Sequence, residues 1–335
     1  MRQALQFSIL FAIAISLLSV SSFAQTYAIQ DLGTLGGATA MAQGINNSGQ
    51  ITGAASINST ATHAFLYSSG HMADLGTLGG SSSVGVSLNA TGQVVGYSQT
   101  VGSYRAFLFS QGHVTTLPTL GSNYGAAYAI NALGQVVGDS YTASGIASAF
   151  LYSKGTIINL GSLGGRWGTS AAGINKWGQV VGYSYDAQGN FLAYRWQAGT
   201  MTSLGTLGGA WSQAYAINDA GQITGGAYLP KNVGAHAFIY SNGKMKDIDT
   251  HHSNYSFGES VNSSGVVVGR MSVPNNTGNL TYHAFIYNAG AMRDLNALIP
   301  KNSGWVLDDA TGINDVGQIV GSGTYKGENR AFLLK

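Results

Sequence analysis

Paired acidic side chains are the first potential chemistry in this chain, because cleavage of a glycosidic bond needs two carboxyl groups roughly 5–10 Å apart. The adjacent residues Asp308 and Asp309 lie in a long predicted loop, just before a predicted strand, and are candidate site residues. Four other aspartates recur at one position of a repeated segment, where a solvated or turn-forming role is expected: Asp31, Asp74, Asp247 and Asp294.

A histidine pair, His251 and His252, is the second feature that could do chemistry. Adjacent imidazoles in a loop can take part in metal binding, but a zinc site needs a third protein ligand and the spacing fixes none. Polar loop residues are the default interpretation, so no metal or other cofactor is expected. Thiol chemistry is excluded because the chain has no cysteine. No nucleophile elbow, His-Glu-x-x-His run or phosphate loop is present.

Aromatic residues form the third candidate group. Five consecutive repeats carry one in the predicted loop before their first strand, and Arg166 adjoins the second of them: Tyr124, Trp167, Trp211, Tyr255 and Trp305. Flat apolar rings with nearby polar groups suit sugar rings or extended peptides, which makes these six residues candidates for ligand binding. The alternative is that the rings wedge between neighbouring repeats as part of the core. The sequence leaves both interpretations open.

The elements that must position these residues are repeats. An apolar residue followed by Asn, and then by a Gly-containing turn, occurs seven times, with separations of 43, 42, 44, 43, 44 and 52 residues. The anchor asparagines are Asn46, Asn89, Asn131, Asn175, Asn218, Asn262 and Asn314. Asn can hydrogen-bond its own backbone two residues on, and Gly supplies the positive φ of a tight hairpin. A structural role in turns is therefore predicted for these positions.

Each repeat contains four short apolar or alternating runs, which predicts a four-stranded antiparallel meander. Such units must stack to bury their faces, and a period in the forties is typical of propeller blades. The seventh repeat ends after its third strand, whereas the residues 27–37 resemble the missing fourth strand. We therefore predict an all-β, seven-bladed β-propeller that the N-terminal strand closes by completing the last blade, with the first strand of each repeat innermost and function on the face with the longer loops.

The N-terminus predicts export. Arg2, an apolar stretch from Phe7 to Val20 and the small-x-small step Ser22-Phe23-Ala24 form a secretory signal sequence, so cleavage after Ala24 is expected. Residues 25–335 then form one propeller domain in the periplasm or outside the cell. The alternative is an uncleaved membrane anchor, but serines interrupt the apolar stretch, so cleavage is favoured and no membrane span is expected after it.

Composition narrows the class of partner. The formal net charge is +2, and only 8% of residues are charged, without a basic cluster. Binding of nucleic acid depends on many contacts from Lys and Arg to phosphates, so nucleic acid is not an expected partner. The expectation is a monomer that binds a glycan or a protein.

The combined pattern of Asn-Gly-Gln turns, Ala-Phe steps and Leu-Gly-Thr-Leu-Gly-Gly segments resembles the HAF-type family of extracellular repeat proteins. The His-Ala-Phe step stands in full at His63, His236 and His283, while Arg, Ser or Leu replaces the His in the other four repeats. The resemblance covers essentially the whole chain after the signal sequence. It implies an exported repeat protein without an assigned reaction, and a His kept in three of seven repeats is not expected to be a ligand or catalyst.

Together these patterns favour a binding or scaffolding module, more so than an enzyme, that uses the long-loop face for a glycan or protein partner. The alternative is a hydrolase or lyase that acts on polysaccharide, an analogy that rests on fold alone. Two carboxylates facing one another at the channel mouth would favour hydrolysis, whereas an aromatic rim with isolated acids would favour binding.

Overall fold

The protein is a β-propeller with seven blades, each a sheet of four antiparallel strands. The structure, a computed structural model, describes residues 26–274 and 279–335. Within these ranges two short 3-10 helices, Pro230–Asn232 and Leu295–Leu298, are the helical elements. The predicted fold is confirmed, while the predicted signal sequence lies outside the described residues.

The first six blades each take four consecutive strands. Blade 1 contains β2 (Ala40–Ile45), β3 (Ile51–Ser56), β4 (Thr62–Ser68) and β5 (His71–Asp74). Blade 2 contains β6 (Ser83–Leu88), β7 (Val94–Thr100), β8 (Ser103–Ser110) and β9 (His113–Thr116). Blade 3 contains β10 (Gly121–Ile130), β11 (Val136–Thr142), β12 (Ala147–Ser153) and β13 (Thr156–Asn159).

Blade 4 contains β14 (Gly164–Ile174), β15 (Val180–Asp186), β16 (Phe191–Gln197) and β17 (Thr200–Gly205). Blade 5 contains β18 (Ser212–Ile217), β19 (Ile223–Tyr228), β20 (Ala235–Ser241) and β21 (Lys244–Asp247). Blade 6 contains β22 (Ser256–Val261), β23 (Val267–Pro274), β24 (Leu280–Asn288) and β25 (Ala291–Asp294). Blade 7 contains β26 (Trp305–Ile313), β27 (Ile319–Tyr325), β28 (Glu328–Leu334) and, from the other end of the chain, β1 (Ile29–Asp31).

The last blade is closed by the N-terminal strand, as predicted. β1 pairs antiparallel with β28, with Ile29 opposite Leu334 and Asp31 opposite Phe332. Backbone hydrogen bonds in both directions between Ala28 and Lys335 extend this pairing. The two ends of the chain therefore share one sheet, which pairs an edge that would otherwise be open.

The hydrophobic core lies between blades. Seven clusters of buried side chains each join two neighbouring blades, and together they run around the ring. The aromatic residue of the Ala-Phe step is at most 2% exposed in every blade, at Phe65, Phe107, Phe150, Tyr194, Phe238, Phe285 and Phe332. The small alanine before it lets the neighbouring blade approach. Burial of these faces explains why single blades cannot be stable alone.

The anchor asparagines have the predicted role in turns and a second role that links the blades. In Asn131, Oδ1 accepts from the backbone N–H groups of Leu133 and Gln135, both at 3.0 Å. Its Nδ2 also donates to the carbonyl oxygen of Asn175 in the next blade at 3.0 Å. All seven asparagines donate this hydrogen bond to the next blade, with N···O distances of 2.9–3.3 Å. The bond from Asn314 to the carbonyl oxygen of Asn46 joins the last blade to the first. The result is a closed ring of hydrogen bonds around the channel.

The histidines of the repeat are structural. His63, His236 and His283 each lie within 2.9 Å of the aspartate on the adjacent fourth strand of the same blade. The recurring aspartates also accept a backbone N–H two residues later, as in Asp74, which accepts from Gly76 at 2.7 Å. This bond confirms the predicted turn-forming role of that position. For His283 the hydrogen bond to Asp294 raises the imidazole pKa, against the effect of burial.

Candidate functional site

The channel wall is built by one bulged residue from each blade. In every first strand the register shifts at the third residue before the anchor asparagine, which is a β-bulge. The bulged residues all line a central cavity of about 480 Å³: Gln43, Val86, Tyr128, Ala172, Tyr215, Glu259 and Thr311. A bulge redirects a side chain, so this position carries variable chemistry on a uniform frame.

Blades 6 and 7 bring two carboxylates and one guanidinium together beside the channel. Arg270 of β23 places Nη1 3.1 Å from Oδ2 of Asp309 and Nη2 3.6 Å from Oε1 of Glu259. The two carboxylate side chains are 19% and 18% exposed. Oδ1 of Asp309 is buried and accepts no hydrogen bond from the described protein atoms. One cation is therefore shared by two acids in a sheltered position.

Burial, and then the negative charge of Asp309, raise the pKa of the Glu259 carboxyl, while Arg270 opposes the rise. Burial likewise raises the pKa of Asp309, again against Arg270. The main physical reason is that burial disfavours the charged form of both carboxyls, and the single guanidinium can balance only one of them. The neighbouring Tyr215 phenol also has a raised pKa, chiefly because it is buried.

An aromatic pocket lies beside this cluster on the long-loop face. It encloses about 350 Å³, and it is lined by Trp211, Tyr215, Tyr228, Tyr255, Phe257, Arg270 and Tyr282. The guanidinium carbon of Arg270 lies 5.3 Å from the ring centre of Phe257 and 5.6 Å from that of Tyr282. Tyr215 lines both the pocket and the channel. We call these seven residues the aromatic pocket.

The predicted aromatic residues have different environments. Trp211 lines the aromatic pocket and also stacks on Phe191 of blade 4, with ring centres 5.9 Å apart. Tyr255 lines the same pocket and is 37% exposed. Trp305 stacks on Tyr325 at 4.8 Å, within blade 7.

The other two predicted rings lie in blades 3 and 4. Tyr124 stacks on Tyr141 at 4.7 Å. Trp167 is 48% exposed and packs against Tyr185, and the guanidinium carbon of Arg166 lies 4.9 Å from its ring centre. The five rings therefore do not form one platform.

The predicted loop location is wrong for several of these residues. Tyr124 and Trp167 belong to β10 and β14, and Trp305 begins β26, because these first strands start early. Asp308 and Asp309 are also strand residues of β26, opposite β27. Oγ1 of Thr324 lies 3.3 Å from Oδ2 of Asp308. Burial raises the pKa of the Asp308 carboxyl. Pairing with Ser322 of β27 fixes Asp309, whereas Asp308 lies at a register shift of the same strand pair.

His251 and His252 are exposed side chains in the connection between β21 and β22. Residue 252 has a positive φ of 58°, and the backbone N–H of His251 donates to Asp249. In the described ranges no group of three His, Cys, Asp or Glu side chains could hold a metal ion, so this pair lacks a third ligand there. No helix within those same ranges is both long and apolar enough to cross a membrane.

Sequence reasoning selected Asp309, Trp211 and Tyr255 but missed Glu259 and Arg270. A comparison of the seven repeats at single positions could have found both. Glu259 is the one acidic residue among the seven bulged residues. Arg270 follows the Val-Val-Gly of the second strand of blade 6, and at the equivalent position the other blades carry Ala, Tyr, Asp, Gly or Ser. The available signal was therefore a charged residue at a position of an inner strand where the other repeats mostly carry small or aromatic residues.

Comparison with known proteins supports the fold. No family model and no curated protein matches the chain. The β-propeller domain of the Trilobed protease from Pyrococcus furiosus is similar, with 8% identity, a TM-score of 0.56 and coverage of 89% of this chain and 97% of that chain. YCF48 bound to D1 peptide has 13% identity and a TM-score of 0.52, covering 92% and 94%. The protease domain has an open velcro topology, whereas β1 completes blade 7 here.

Proposed function

We propose that this propeller is a glycan-binding module and that the aromatic pocket between blades 5 and 6 is its binding site. The observation that carries the proposal is the combination of six aromatic side chains with Arg270 in one open pocket on the long-loop face. Sugar rings present flat C–H faces that pack on aromatic rings, and their hydroxyl groups need planar hydrogen-bonding partners at the edges.

The polar side of the pocket supports a neutral or weakly charged ligand. Arg270 is held between Glu259 and Asp309, so its charge is already balanced and its side chain is fixed before a ligand arrives. A fixed group loses little conformational entropy on binding. The guanidinium of Arg270 and the tyrosine hydroxyls that line the pocket supply hydrogen-bonding groups for sugar hydroxyls.

Tyr255→Ala is expected to weaken glycan binding about tenfold, because the loss of one stacked ring removes on the order of 1–1.5 kcal/mol. A glycan and peptidoglycan array would identify the ligand, and calorimetric titration would measure the loss. Tyr255 is 37% exposed, so its removal should leave the fold intact. The matched control is Trp167→Ala, which removes an exposed ring of blade 4 outside the pocket and should leave the affinity unchanged.

Unchanged affinity in the Tyr255 variant, with the ligand still bound, would place the site elsewhere. Binding of peptides but not glycans on the arrays would overturn the choice of ligand. That outcome has a structural parallel in YCF48, a propeller solved with a bound peptide, although the parallel rests on fold alone.

A second candidate function is hydrolysis of the bound glycan. One observation favours it: Glu259 and Asp309 are close, and their raised pKa values suit an acid paired with a base. The position of Arg270 argues for binding instead, because its guanidinium lies between the two carboxyl groups, where the scissile bond would need to sit.

Release of new reducing ends from the bound glycan distinguishes these functions. We expect none from the wild-type protein, even after long incubation. If reducing ends appear and Glu259→Gln abolishes them while the glycan still binds, the protein is a hydrolase. Glu328→Gln is the matched control, since it changes an exposed glutamate at the start of β28.

We also propose that the protein is exported and acts in the periplasm or outside the cell, as a member of the HAF-type repeat family. Its signal-like N-terminal sequence and the repeated Ala-Phe and Leu-Gly-Thr-Leu-Gly-Gly segments support this location. Glycans of the cell envelope or surroundings are then the relevant ligands for the arrays.

A further inference from the structure

A solitary carboxylate lies on the channel wall at blade 3, away from the aromatic pocket. Asp139 of β11 lines the central cavity. Its Oδ1 atom is buried and accepts no hydrogen bond from the described protein atoms. None of the ion pairs found between the described residues involves Asp139. In blade 6 the same repeat position is Arg270, so blade 3 has an acid where blade 6 has a cation.

Tyrosine side chains surround this carboxylate. Tyr128, the bulged residue of β10, and Tyr183 of β15 line the same cavity, together with Ser170. Burial chiefly raises the pKa of the Tyr124 and Tyr194 phenols, and the charge of nearby Asp139 adds to the rise. Tyr194 stands where the other six blades carry Phe, and its buried hydroxyl has no hydrogen-bond partner among the described atoms.

The Asp139 carboxylate is buried without a positively charged partner among the described residues, as expected of a site that binds a cation. Burial raises the pKa of Asp139 to about 6, and the nearby hydroxyls of Ser170 and Tyr128 only partly oppose this rise. A carboxylate in such surroundings is costly unless a cation accompanies it. Tyrosine rings add to the attraction, because the faces of aromatic rings favour cations.

We propose that Asp139 and the tyrosines around it form a second binding site, which takes the primary ammonium group of an organic ligand that enters the channel. An ammonium group has three donors, which match the Asp139 carboxylate and the hydroxyls of Tyr128 and Ser170. A divalent metal ion fits less well, since calcium takes six to eight oxygen ligands, commonly from several carboxylates, and the other carboxyl that lines the cavity, Glu259 of blade 6, is already paired with Arg270. The cavity of about 480 Å³ admits a short alkyl chain behind the ammonium group.

The test is titration of the chain from residue 26 onward with n-butylammonium at pH 7.5, followed by calorimetry and by NMR of the tyrosine rings. Saturable binding is expected, and 1-butanol of the same shape should not compete. Asp139→Asn should reduce the affinity at least tenfold. The matched control is Asp186→Asn, which alters a partly exposed carboxylate at the end of β15, outside the cavity lining, and should bind as the wild type does.

Proton release provides a readout that a purely structural role would not give. Burial raises the pKa of Asp139 to about 6, so at pH 6 a fraction of the Asp139 carboxyls carries a proton that the ammonium must displace, and binding should release protons. The affinity should rise with pH from 5 to 7, because ionisation of Asp139 favours the cation. The phenols of Tyr124, Tyr128, Tyr183 and Tyr194 lie near Asp139, and they stay neutral in this range. Glu259 also lines the cavity, in blade 6, and burial raises its pKa, so Glu259→Gln is examined in parallel to assign the pH dependence to Asp139.

Equal affinity of Asp139→Asn and wild type, or equal binding of 1-butanol, would overturn this assignment. Lack of saturable binding at millimolar n-butylammonium would also overturn it. The Asn variant is nearly isosteric and removes a buried charge, so it should melt at or above the wild-type temperature, and a folded protein is available for the comparison. The outcome is independent of glycan binding at the aromatic pocket.

Discussion

A chain that begins at residue 34 is expected to lose most of its cooperative stability relative to one that begins at residue 26. The removed residues include all of β1 and the buried side chains of Tyr27 and Leu32, which are 4% and 6% exposed. Each such side chain contributes about 1.5–3 kcal/mol. The truncation also removes backbone hydrogen bonds to Leu298, Ala331 and Lys335, each worth about 1 kcal/mol.

The sum is on the order of 5–10 kcal/mol, which is comparable to the whole stability of a typical domain. Differential scanning calorimetry should therefore show a much lower and broader transition for the shorter chain. Adding a synthetic peptide of residues 26–33 should restore part of the lost stability, since the edge of β28 remains available for pairing. A control variant, Gln30→Ala, removes two exposed or half-buried side-chain hydrogen bonds, to Tyr67 and from Lys335, but keeps β1 in place and should change little. Equal melting of the two chains would show that closure by β1 does not hold the ring together.

Gly138→Ala is expected to destabilise the protein by about 3 kcal/mol or more, as overpacking of a rigid core does. Gly138 lies in β11, opposite the bulged first strand of blade 3. A Cβ atom at this position would overlap the backbone carbonyl oxygen of Ala126, which is part of a sheet and cannot move away alone. The corresponding glycine of every other blade faces a backbone carbonyl in the same way.

Gly125→Ala is the matched control for this prediction. Gly125 belongs to β10, in the same sheet, but a Cβ atom there would find its nearest neighbours at 3.6–3.8 Å, which is ordinary contact. Chemical denaturation should thus separate the two variants clearly, with the midpoint of the first well below that of the second. Similar midpoints would mean that the strand pair relaxes around the added methyl group, and the close approach would then not explain the repeated glycine.

The sequence by itself determined the repeat and the four strands of each blade, because these depend on local signals. Asn-x-x-Gly turns act over four residues, and the alternation of apolar residues acts within one strand. The split of the last repeat between the two chain ends was also visible in the sequence. The predicted role of the asparagines in turns was confirmed, but the hydrogen bond from each to the next blade depends on side-by-side packing that no single repeat contains.

The tertiary structure alone decided which side chains meet. A bulge in every first strand breaks the two-residue alternation, so the orientation of Tyr128 or Glu259 could not be obtained from strand periodicity. Blade packing then places Arg270 between an acid of its own blade and Asp309 of the next. Asp139, by contrast, has no ion-pair partner among the described residues, and this too depends on which side chains the neighbouring blades place beside it. Contacts between residues about 40 positions apart follow from ring geometry, whereas the repeats that build the ring follow from local sequence.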